Sequence, residues 1–304
     1  MSTRSVILTL VVAKKSGNDL FIVADSKLND PKAIERNPMN SILKVAILHP
    51  LITIAYAGVV HYAEKVVSDF YSKNICDLKE LFPLLMNAHV ESNQQTDFIL
   101  ATALGGHPQL FLIKNGNLEH NIENAWIGEA KAFSVYQESF HSLDDGVELK
   151  ERMKSALDSV CTSDFVDSVG WYTTCALLDF KEHTHPIFLY DMETVAVSGD
   201  KLTVKAGETI ALSYGQAETG SYSISTLFSR SLARPAIGRY FEQVQLGILH
   251  CPRISLYPIL FRNCSGEEFI IRAFKENSVP LKGVIFEQGT MFRLVDALVL
   301  TSKN

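Results

Sequence analysis

The sequence predicts an α+β fold, a four-layer αββα sandwich followed by an additional C-terminal α+β region. Three observations predict it: apolar strand runs come in groups, helical periodicity comes in pairs between them, and the first strand is apolar on both faces. Grouped strands favour antiparallel sheets over single βαβ units, with the helix pairs packed outside. A nearly continuous apolar run such as Val6 to Val12 is typical of a strand buried on both sides.

The first strands are predicted as two hairpins. The turn signal Ser16-Gly17-Asn18 separates the first pair of apolar runs, and His49-Pro50 separates the second pair. An irregular loop with two prolines, Asn29 to Asn40, lies between the hairpins. We expect these strands over Val6–Ala13, Leu20–Ala24, Ile42–Leu48 and Leu51–Tyr56.

Helical periodicity begins after Gly58, where apolar side chains from Val60 to Tyr71 recur at spacings of three and four. The same criterion predicts three more helices, over Asp77–Glu91, Glu129–Phe140 and Val147–Cys161. Further strands are expected over Asp97–Leu104, Gln109–Ile113, Ala125–Gly128, Trp171–Leu178 and Pro186–Val197. The resulting order is strands, two helices, strands, two helices, strands.

We divide the chain into a first domain, residues 1–197, and an α+β extension, residues 198–304. In the extension we expect strands over Lys201–Val204, Thr209–Ser213, Ile254–Arg262, Glu268–Phe274 and Val284–Phe286. Helices are expected over Tyr222–Leu232 and Ile237–Leu249.

Composition excludes several classes of protein. A net charge of −6 without a cluster of basic residues argues against a nucleic-acid surface. The N-terminus lacks the pattern of a signal peptide, and the longest apolar stretch is broken by His49-Pro50, so we expect no membrane segment. Five cysteines without a CxxC pair predict reduced thiols. We therefore expect a cytoplasmic protein, with neither cofactor nor metal.

Three residues at the ends of predicted strands could form an active site. Asp25 ends one apolar strand, Lys44 precedes the next, and Gly58 follows a third where a helix begins. A carboxylate and an ammonium on neighbouring strands can orient and activate a nucleophile, while a glycine N–H can bind a developing oxyanion. The alternative is that Asp25 and Lys44 form an ordinary strand-end ion pair and that Gly58 only permits a tight connection.

These residues also carry a family resemblance. The segment from Ser5 to about Val197 resembles the β-type subunits of proteasomes and their bacterial peptidase relatives, which are N-terminal nucleophile hydrolases. The resemblance is carried by Val23–Lys27, by Lys44-Val45 with the following His49-Pro50, by Ala57-Gly58, and by the turn Asn115-Gly116-Asn117 leading to Ile127-Gly128. The family's lysine precedes its oxyanion glycine by about fourteen residues, which matches the separation of Lys44 and Gly58.

The resemblance implies roles for particular residues. In the family the first residue of the mature chain, usually Thr, attacks the scissile carbonyl while its own α-amine serves as the base. Matching Ser5-Val6-Ile7-Leu8 to the family's first strand, with about four extra residues in the following hairpin, places Ser5 at the nucleophile position. Asp25 would orient Lys44, Lys44 would lower the pKa of the nucleophile and of its amine, and the Gly58 N–H would donate to the oxyanion.

Several positions depart from the family. Four residues precede Ser5. Removal of Met1 alone would expose Ser2, followed by Thr3, and these residues lie two or three positions before the start of the family's first strand. Glu129 stands where the family commonly has a Ser that holds the terminal amine. Asp164 and Ser168 correspond loosely to the family's later Asp-x-x-Ser pair, with the Ser one place late.

Three functions remain open at the level of sequence: a hydrolase of peptide bonds, a noncatalytic proteasome-like scaffold subunit, and a small-amide hydrolase on the same fold. The resemblance implies a homo-oligomer, as a ring or stacked ring, and leaves open an ATPase or regulatory partner. A processed N-terminus would make the chain a threonine- or serine-type peptidase or amidohydrolase.

Overall fold

The computed structural model describes residues 9–28, 41–163, 165–170, 172–180, 186–191, 195–197, 200–202, 209–211, 224–229, 231–287 and 291–302. This part of the chain contains six helices and several antiparallel sheets. It divides into two compact units, the first formed by Met1–Leu189 with Pro252–Tyr257 and the second by Tyr190–Cys251 with Pro258–Asn304. The boundary that the sequence predicts, after residue 197, stays a prediction.

The first unit contains two five-stranded sheets. Their strands are β1 (Leu10–Ser16), β2 (Asp19–Asp25), β3 (Val45–His49), β4 (Ile52–Ala57), β5 (Asp97–Thr102), β6 (Gln109–Lys114), β7 (Asn117–Glu119), β8 (Asn124–Gly128), β9 (Thr173–Asp179) and β10 (Ile187–Tyr190). The first sheet has the order β10-β9-β2-β1-β8 and the second has the order β3-β4-β5-β6-β7. Strands of the two sheets contact each other, β1 with β4 and β5 with β8.

Two pairs of helices accompany these sheets: α1 (Val60–Ser72) with α2 (Leu78–Glu91), and α3 (Ala130–Ser142) with α4 (Leu149–Cys161). The first pair contacts β3, β5 and β6, while α4 contacts β2 and β9. Every residue of β4 is buried. This continuous burial arises because strands with neighbours on both faces have no solvent-facing side, and it explains why these segments do not alternate in polarity.

The β1–β2 hairpin determines which residues meet at the end of the first sheet. Ser16 pairs with Asp19 across a two-residue turn, and the register continues outward to Val11 opposite Ala24. On the other side of β1, Leu10 pairs with Gly128 of β8. The start of β1 and the ends of β2 and β8 therefore lie together.

The second unit is built around a seven-stranded sheet with the order β13-β19-β18-β14-β15-β16-β17. Its elements and the short β11–β12 pair are β11 (Val195–Val197), β12 (Asp200–Leu202), β13 (Thr209–Ala211), β14 (Ile224–Ser229), β15 (Ala236–Phe241), a 3-10 turn (Glu242–Val244), β16 (Leu246–Cys251), β17 (Ser255–Arg262), α5 (Gly266–Asn277), β18 (Lys282–Glu287), β19 (Met291–Asp296) and α6 (Ala297–Ser302).

The strand predicted over Glu268–Phe274 is wrong, because this segment lies within α5. Its buried residues Phe269, Ile270 and Ala273 follow the spacing of three and four that marks a helix face. Ser265 and Glu268 form a reciprocal capping box at the start of α5. That start signal, a Ser followed three residues later by Glu, was available in the sequence.

The helices predicted in the second unit are wrong where the structure describes them. Ile237–Leu249 contains most of β15 and β16, and Ile224–Ser229 within the other predicted helix is β14. All six residues of β15 are buried, as are all six of β16. A strand that is apolar along its whole length shows no periodicity in its sequence. An apolar run alone therefore cannot distinguish such a strand from a buried helix.

Candidate active site

Asp25 lies at the end of β2 with its side chain completely buried. Three backbone N–H groups donate to its carboxylate: those of Leu10 at 3.0 Å, Lys27 at 3.1 Å and Gly170 at 3.3 Å. The donors come from the neighbouring strand β1, from the chain just after β2, and from the segment before β9. These donors fix the orientation of both carboxylate oxygens.

Lys44 supplies the countercharge. Its Nζ donates to Oδ1 of Asp25 at 2.9 Å and to Oδ2 at 2.8 Å, and the lysine side chain is 4% exposed. Burial lowers the pKa of Lys44, and the neighbouring Asp25 carboxylate opposes this shift. Asp25 ends β2 and Lys44 directly precedes β3, and these strands belong to different sheets, so the predicted pair is in contact but not on neighbouring strands. The contact does not by itself distinguish catalysis from a structural ion pair.

Thr9 is the residue of this cluster that sequence reasoning missed. Its hydroxyl donates to Oδ1 of Asp25 at 2.5 Å, and the residue is 1% exposed. The sequence feature that could have identified Thr9 is the two-residue turn of the first hairpin. Counting outward from the Ser16–Asp19 pair places Leu10 opposite Asp25 and Thr9 one residue further. No insertion in the hairpin is needed for a threonine to reach the Asp25 carboxylate.

Tyr56 connects the cluster to β4. Its backbone N–H donates to the Lys44 carbonyl at 3.1 Å, which fixes the start of β3 against β4. Within the described part of the chain the Tyr56 hydroxyl is buried without a hydrogen-bond partner. Burial raises the pKa of Tyr56 well above its usual value, and electrostatic repulsion from Tyr257, Glu64 and Asp25 adds to this shift.

Gly58 follows β4 with a φ of +129°. A Cβ at this position would lie 2.0 Å from the backbone oxygen of Gln95, so the close approach of the chain before β5 requires a glycine. The next residue is fixed as well, because Val59 N–H donates to the Thr96 hydroxyl at 3.1 Å. Packing thus accounts for the glycine, and its predicted role as an oxyanion donor stays a prediction.

Of the other predicted site residues, Ser168 lies within the described chain and Ser5 and Asp164 lie outside it. The Ser168 hydroxyl donates to the carboxylate of Glu129, and Ser168 is 8% exposed. Glu129 in turn donates its backbone N–H to the Thr9 carbonyl at 2.8 Å. Ser168 is therefore connected to Thr9 through Glu129.

A separate cavity of about 460 Å³ lies beside α1 in the first unit. Glu64 accepts a hydrogen bond from the Ser255 hydroxyl at its edge, and the Arg253 guanidinium stands over the Tyr71 ring at 5.4 Å. Leu43, which precedes Lys44, donates its N–H to the Leu256 carbonyl at 3.0 Å. The wall opposite α1 is the segment Pro252–Leu256.

No group of three or more His, Cys, Asp or Glu side chains among the described residues could hold a metal ion. None of the helices described is both long and apolar enough to cross a membrane.

Comparison with known proteins gives structural similarity only. No protein-family model and no curated protein matches the sequence. Among solved structures, eukaryotic HslV from Trypanosoma brucei is 14% identical with a TM-score of 0.43, covering 57% of this chain and 100% of that chain. Anbu (ancestral beta-subunit) from Yersinia bercovieri is 17% identical with a TM-score of 0.43, covering 59% of this chain and 82% of that chain.

Proposed function

We propose that this chain is an N-terminal nucleophile hydrolase that cleaves peptide or other amide bonds, with Thr9 as its nucleophile once residues 1–8 are removed. The first unit is then a four-layer αββα sandwich, with the α1–α2 and α3–α4 pairs outside the two sheets. The observation that carries the proposal is the Thr9 hydroxyl donating to the same carboxylate that binds Lys44.

The proposed reaction uses the threonine twice. The released α-amine of Thr9 accepts the proton of its hydroxyl while the oxygen attacks the carbonyl carbon of the scissile amide. Collapse of the tetrahedral intermediate breaks the C–N bond, and the amine group returns the proton to the leaving nitrogen. Water then hydrolyses the ester on Thr9 and regenerates the hydroxyl.

Lys44 and Asp25 act on the charge that develops in this reaction. The ammonium of Lys44 favours a developing alkoxide on Thr9, because an adjacent positive charge lowers the pKa of the hydroxyl. Asp25 holds Lys44 through both oxygens and orients the Thr9 side chain. We retain Gly58 as the proposed oxyanion donor, a contribution of about 100 to 1,000-fold in other enzymes.

A second candidate function is a noncatalytic scaffold subunit of the same fold. The specific observation favouring it is that Asp25 already accepts from three backbone N–H groups in addition to Thr9 and Lys44. A carboxylate bound in this way joins β1, β2 and the segment before β9, which is a structural task. Ring assembly and an ATPase or regulatory partner fit either candidate, and a monomer at micromolar concentration would contradict the ring.

Intact mass of the purified full-length chain tests the proposal. We expect a chain beginning at Thr9, and a Thr9→Ala variant that keeps residues 1–8 and loses at least about 1,000-fold in amide hydrolysis. Thr9→Ser should keep processing and measurable turnover, because it keeps the hydroxyl.

The matched control is Ser5→Ala, which should be processed and as active as the wild type. A chain that begins at Ser5, together with an inactive Ser5→Ala variant, would show that Ser5 is the nucleophile and that Thr9 is not. A wild-type chain that retains residues 1–8 and hydrolyses neither peptide nor small-amide substrates would support the scaffold. Comparison of these two substrate panels separates a peptidase from a small-amide hydrolase.

A further inference from the structure

Gly58, the proposed oxyanion donor, is packed against the chain that precedes β5. A Cβ on Gly58 would lie 2.0 Å from the Gln95 carbonyl oxygen and 2.6 Å from the Thr96 Cα. The Thr96 hydroxyl accepts the Val59 N–H at 3.1 Å and donates to the Val59 carbonyl at 3.4 Å. One side chain therefore contacts both backbone polar groups of the residue that follows Gly58.

The direction of the Gly58 N–H follows from the strand before it. Backbone N–H groups point alternately to the two edges of a strand. The Tyr56 N–H donates to the Lys44 carbonyl, on the side of β3. Ala57 pairs with Asp97, on the side of β5. The Gly58 N–H, two residues after Tyr56, therefore points to the side of β3 and Lys44.

Gly58 needs support on both sides because glycine has the widest choice of backbone conformations. Its φ is +129°, which other residues rarely adopt. The peptide unit before Gly58 is fixed by the pairing of β4 with β5. The peptide unit after it carries the Val59 N–H, which the Thr96 hydroxyl binds. These two constraints together determine where the Gly58 N–H points.

A network of buried polar groups holds Thr96 in turn. The Ser92 hydroxyl accepts the Gln95 N–H at 3.1 Å and the Thr96 N–H at 3.0 Å. It donates to the His89 carbonyl at 2.7 Å. The His89 ring accepts the Gly116 N–H at Nε2, at 2.9 Å, so in the neutral ring Nδ1 is the donor to the Thr96 carbonyl, at 2.7 Å. Thr96, Ser92 and His89 are each at most 2% exposed.

We propose that Thr96 is a positioning residue, which holds the Gly58 N–H in place for the oxyanion, and that Ser92 and His89 hold Thr96. This inference rests on the proposed function, because it requires an oxyanion to form at Gly58. A donor stabilises the transition state when it is oriented in advance toward the oxygen that gains charge. A misplacement of about 1 Å can cost about 100-fold in rate, so the support of Gly58 should be visible in kcat.

Thr96→Val tests this role, since it removes the hydroxyl and keeps the shape of the side chain. The oxyanion forms only after the substrate has bound, so we expect kcat to fall about 10- to 100-fold while KM stays within about threefold. Thr96→Ser restores the hydroxyl and should return kcat to within about threefold of the wild type. The substrate is a peptidyl anilide that the wild type cleaves, and the chains measured begin at Thr9.

A peptidyl aldehyde of the same sequence gives a readout that a loss of stability alone would not change. The Thr9 oxygen adds to the aldehyde carbon and the hydroxyl proton moves to the aldehyde oxygen, which gives a hemiacetal without a leaving group. That oxygen occupies the position of the oxyanion. The inhibition constant should therefore rise about 10-fold in Thr96→Val and recover in Thr96→Ser.

Thr102→Val is the matched control. Thr102 lies at the other end of β5, is fully buried and accepts the Leu104 N–H at 3.1 Å. The variant loses the same group from a contact that does not involve Gly58, so its kcat and its aldehyde inhibition should match the wild type. Equal losses in Thr96→Val and Thr102→Val, or wild-type kinetics in Thr96→Val, would overturn this inference and leave the proposed function standing.

Ser92→Ala provides the test if Thr96→Val does not fold or keeps residues 1–8. It removes the hydroxyl that accepts the Gln95 and Thr96 N–H groups, and we expect kcat to fall about three- to tenfold at unchanged KM. A wild-type kcat in Ser92→Ala would then overturn the inference. A wild-type chain that keeps residues 1–8 would overturn the proposed function and this inference with it.

Discussion

Lys44 Nζ donates to both carboxylate oxygens of Asp25, and neither side chain is more than 4% exposed. Removing one member of such a buried pair lowers the free energy of unfolding strongly, because the charge left behind has no solvent to stabilise it. Removing both members costs less than the sum of the two single changes, because no unpaired charge remains. The pair therefore offers a test of stability that does not depend on catalysis.

Lys44→Met should lower the free energy of unfolding by about 3–5 kcal/mol, since it leaves the Asp25 carboxylate buried without its countercharge. The double variant Asp25→Asn, Lys44→Met should cost less than the sum of the two single variants. Denaturant unfolding measures both quantities. Lys73→Met, which breaks the surface pair with Asp69, is the control and should change the same free energy by less than about 0.5 kcal/mol. If the double variant lost as much free energy of unfolding as the two single variants together, the predicted interaction between Asp25 and Lys44 would be contradicted.

Gly58→Ala should be among the most destabilising single changes in the first unit. The added Cβ would meet backbone at 2.0 Å and would have to adopt a φ of +129°. We expect a loss of at least about 3 kcal/mol in the free energy of unfolding or no folded protein at all. Gly17→Ala is the matched control, because its φ is +60° and a Cβ there meets no atom within 4 Å. Similar losses at both glycines would rule out the steric explanation.

The first unit shows which parts of the fold the sequence could predict. The turn signal at Ser16-Gly17-Asn18 and the periodicity after Gly58 are local patterns, and the structure confirms the hairpin and α1. Thr9 required a register count that only the turn length determines. The second unit was mispredicted where burial is continuous, as in β15, since continuous apolar runs do not distinguish strand from helix.

The site was predictable only in part, for a related reason. Asp25 ends β2 and Lys44 directly precedes β3, so the limits of the apolar runs identify both residues, whereas their contact across two different sheets does not follow from those runs. The donors from Leu10 and Gly170 are backbone groups, which no side-chain pattern specifies. The sequence marks Glu129 only as a departure from the family, whereas the structure shows its backbone N–H donating to the Thr9 carbonyl.

Tyr56→Phe should leave the free energy of unfolding unchanged or raise it by up to about 1 kcal/mol. The change removes a buried hydroxyl that has no hydrogen-bond partner among the described residues, and such groups cost stability. Tyr240→Phe is the contrasting control, because the Tyr240 hydroxyl donates to the Cys264 carbonyl at 2.9 Å and its loss should cost about 1 kcal/mol. A loss of more than about 1 kcal/mol in Tyr56→Phe would show that the hydroxyl has a partner.

Asp97 should make stability depend on pH in the acid range. Burial raises its pKa above the usual 3.8, and Lys114 and His89 oppose this shift, with His89 Nδ1 at 3.6 Å from the carboxylate. Between 3.8 and the raised value the folded chain holds more protons than the unfolded chain at this residue. The contribution of Asp97 to the free energy of unfolding therefore falls as pH rises through that window.

It follows that Asp97→Asn, which cannot ionise, should be more stable than the wild type at pH 7. The advantage should shrink as pH is lowered through the raised pKa of Asp97, because the wild-type carboxyl then becomes neutral as well. Denaturant unfolding of both chains at a series of pH values from about 3 to 7 measures the difference. If the advantage of Asp97→Asn in free energy of unfolding grew as the pH was lowered, Lys114 and His89 would stabilise the Asp97 carboxylate more than burial destabilises it.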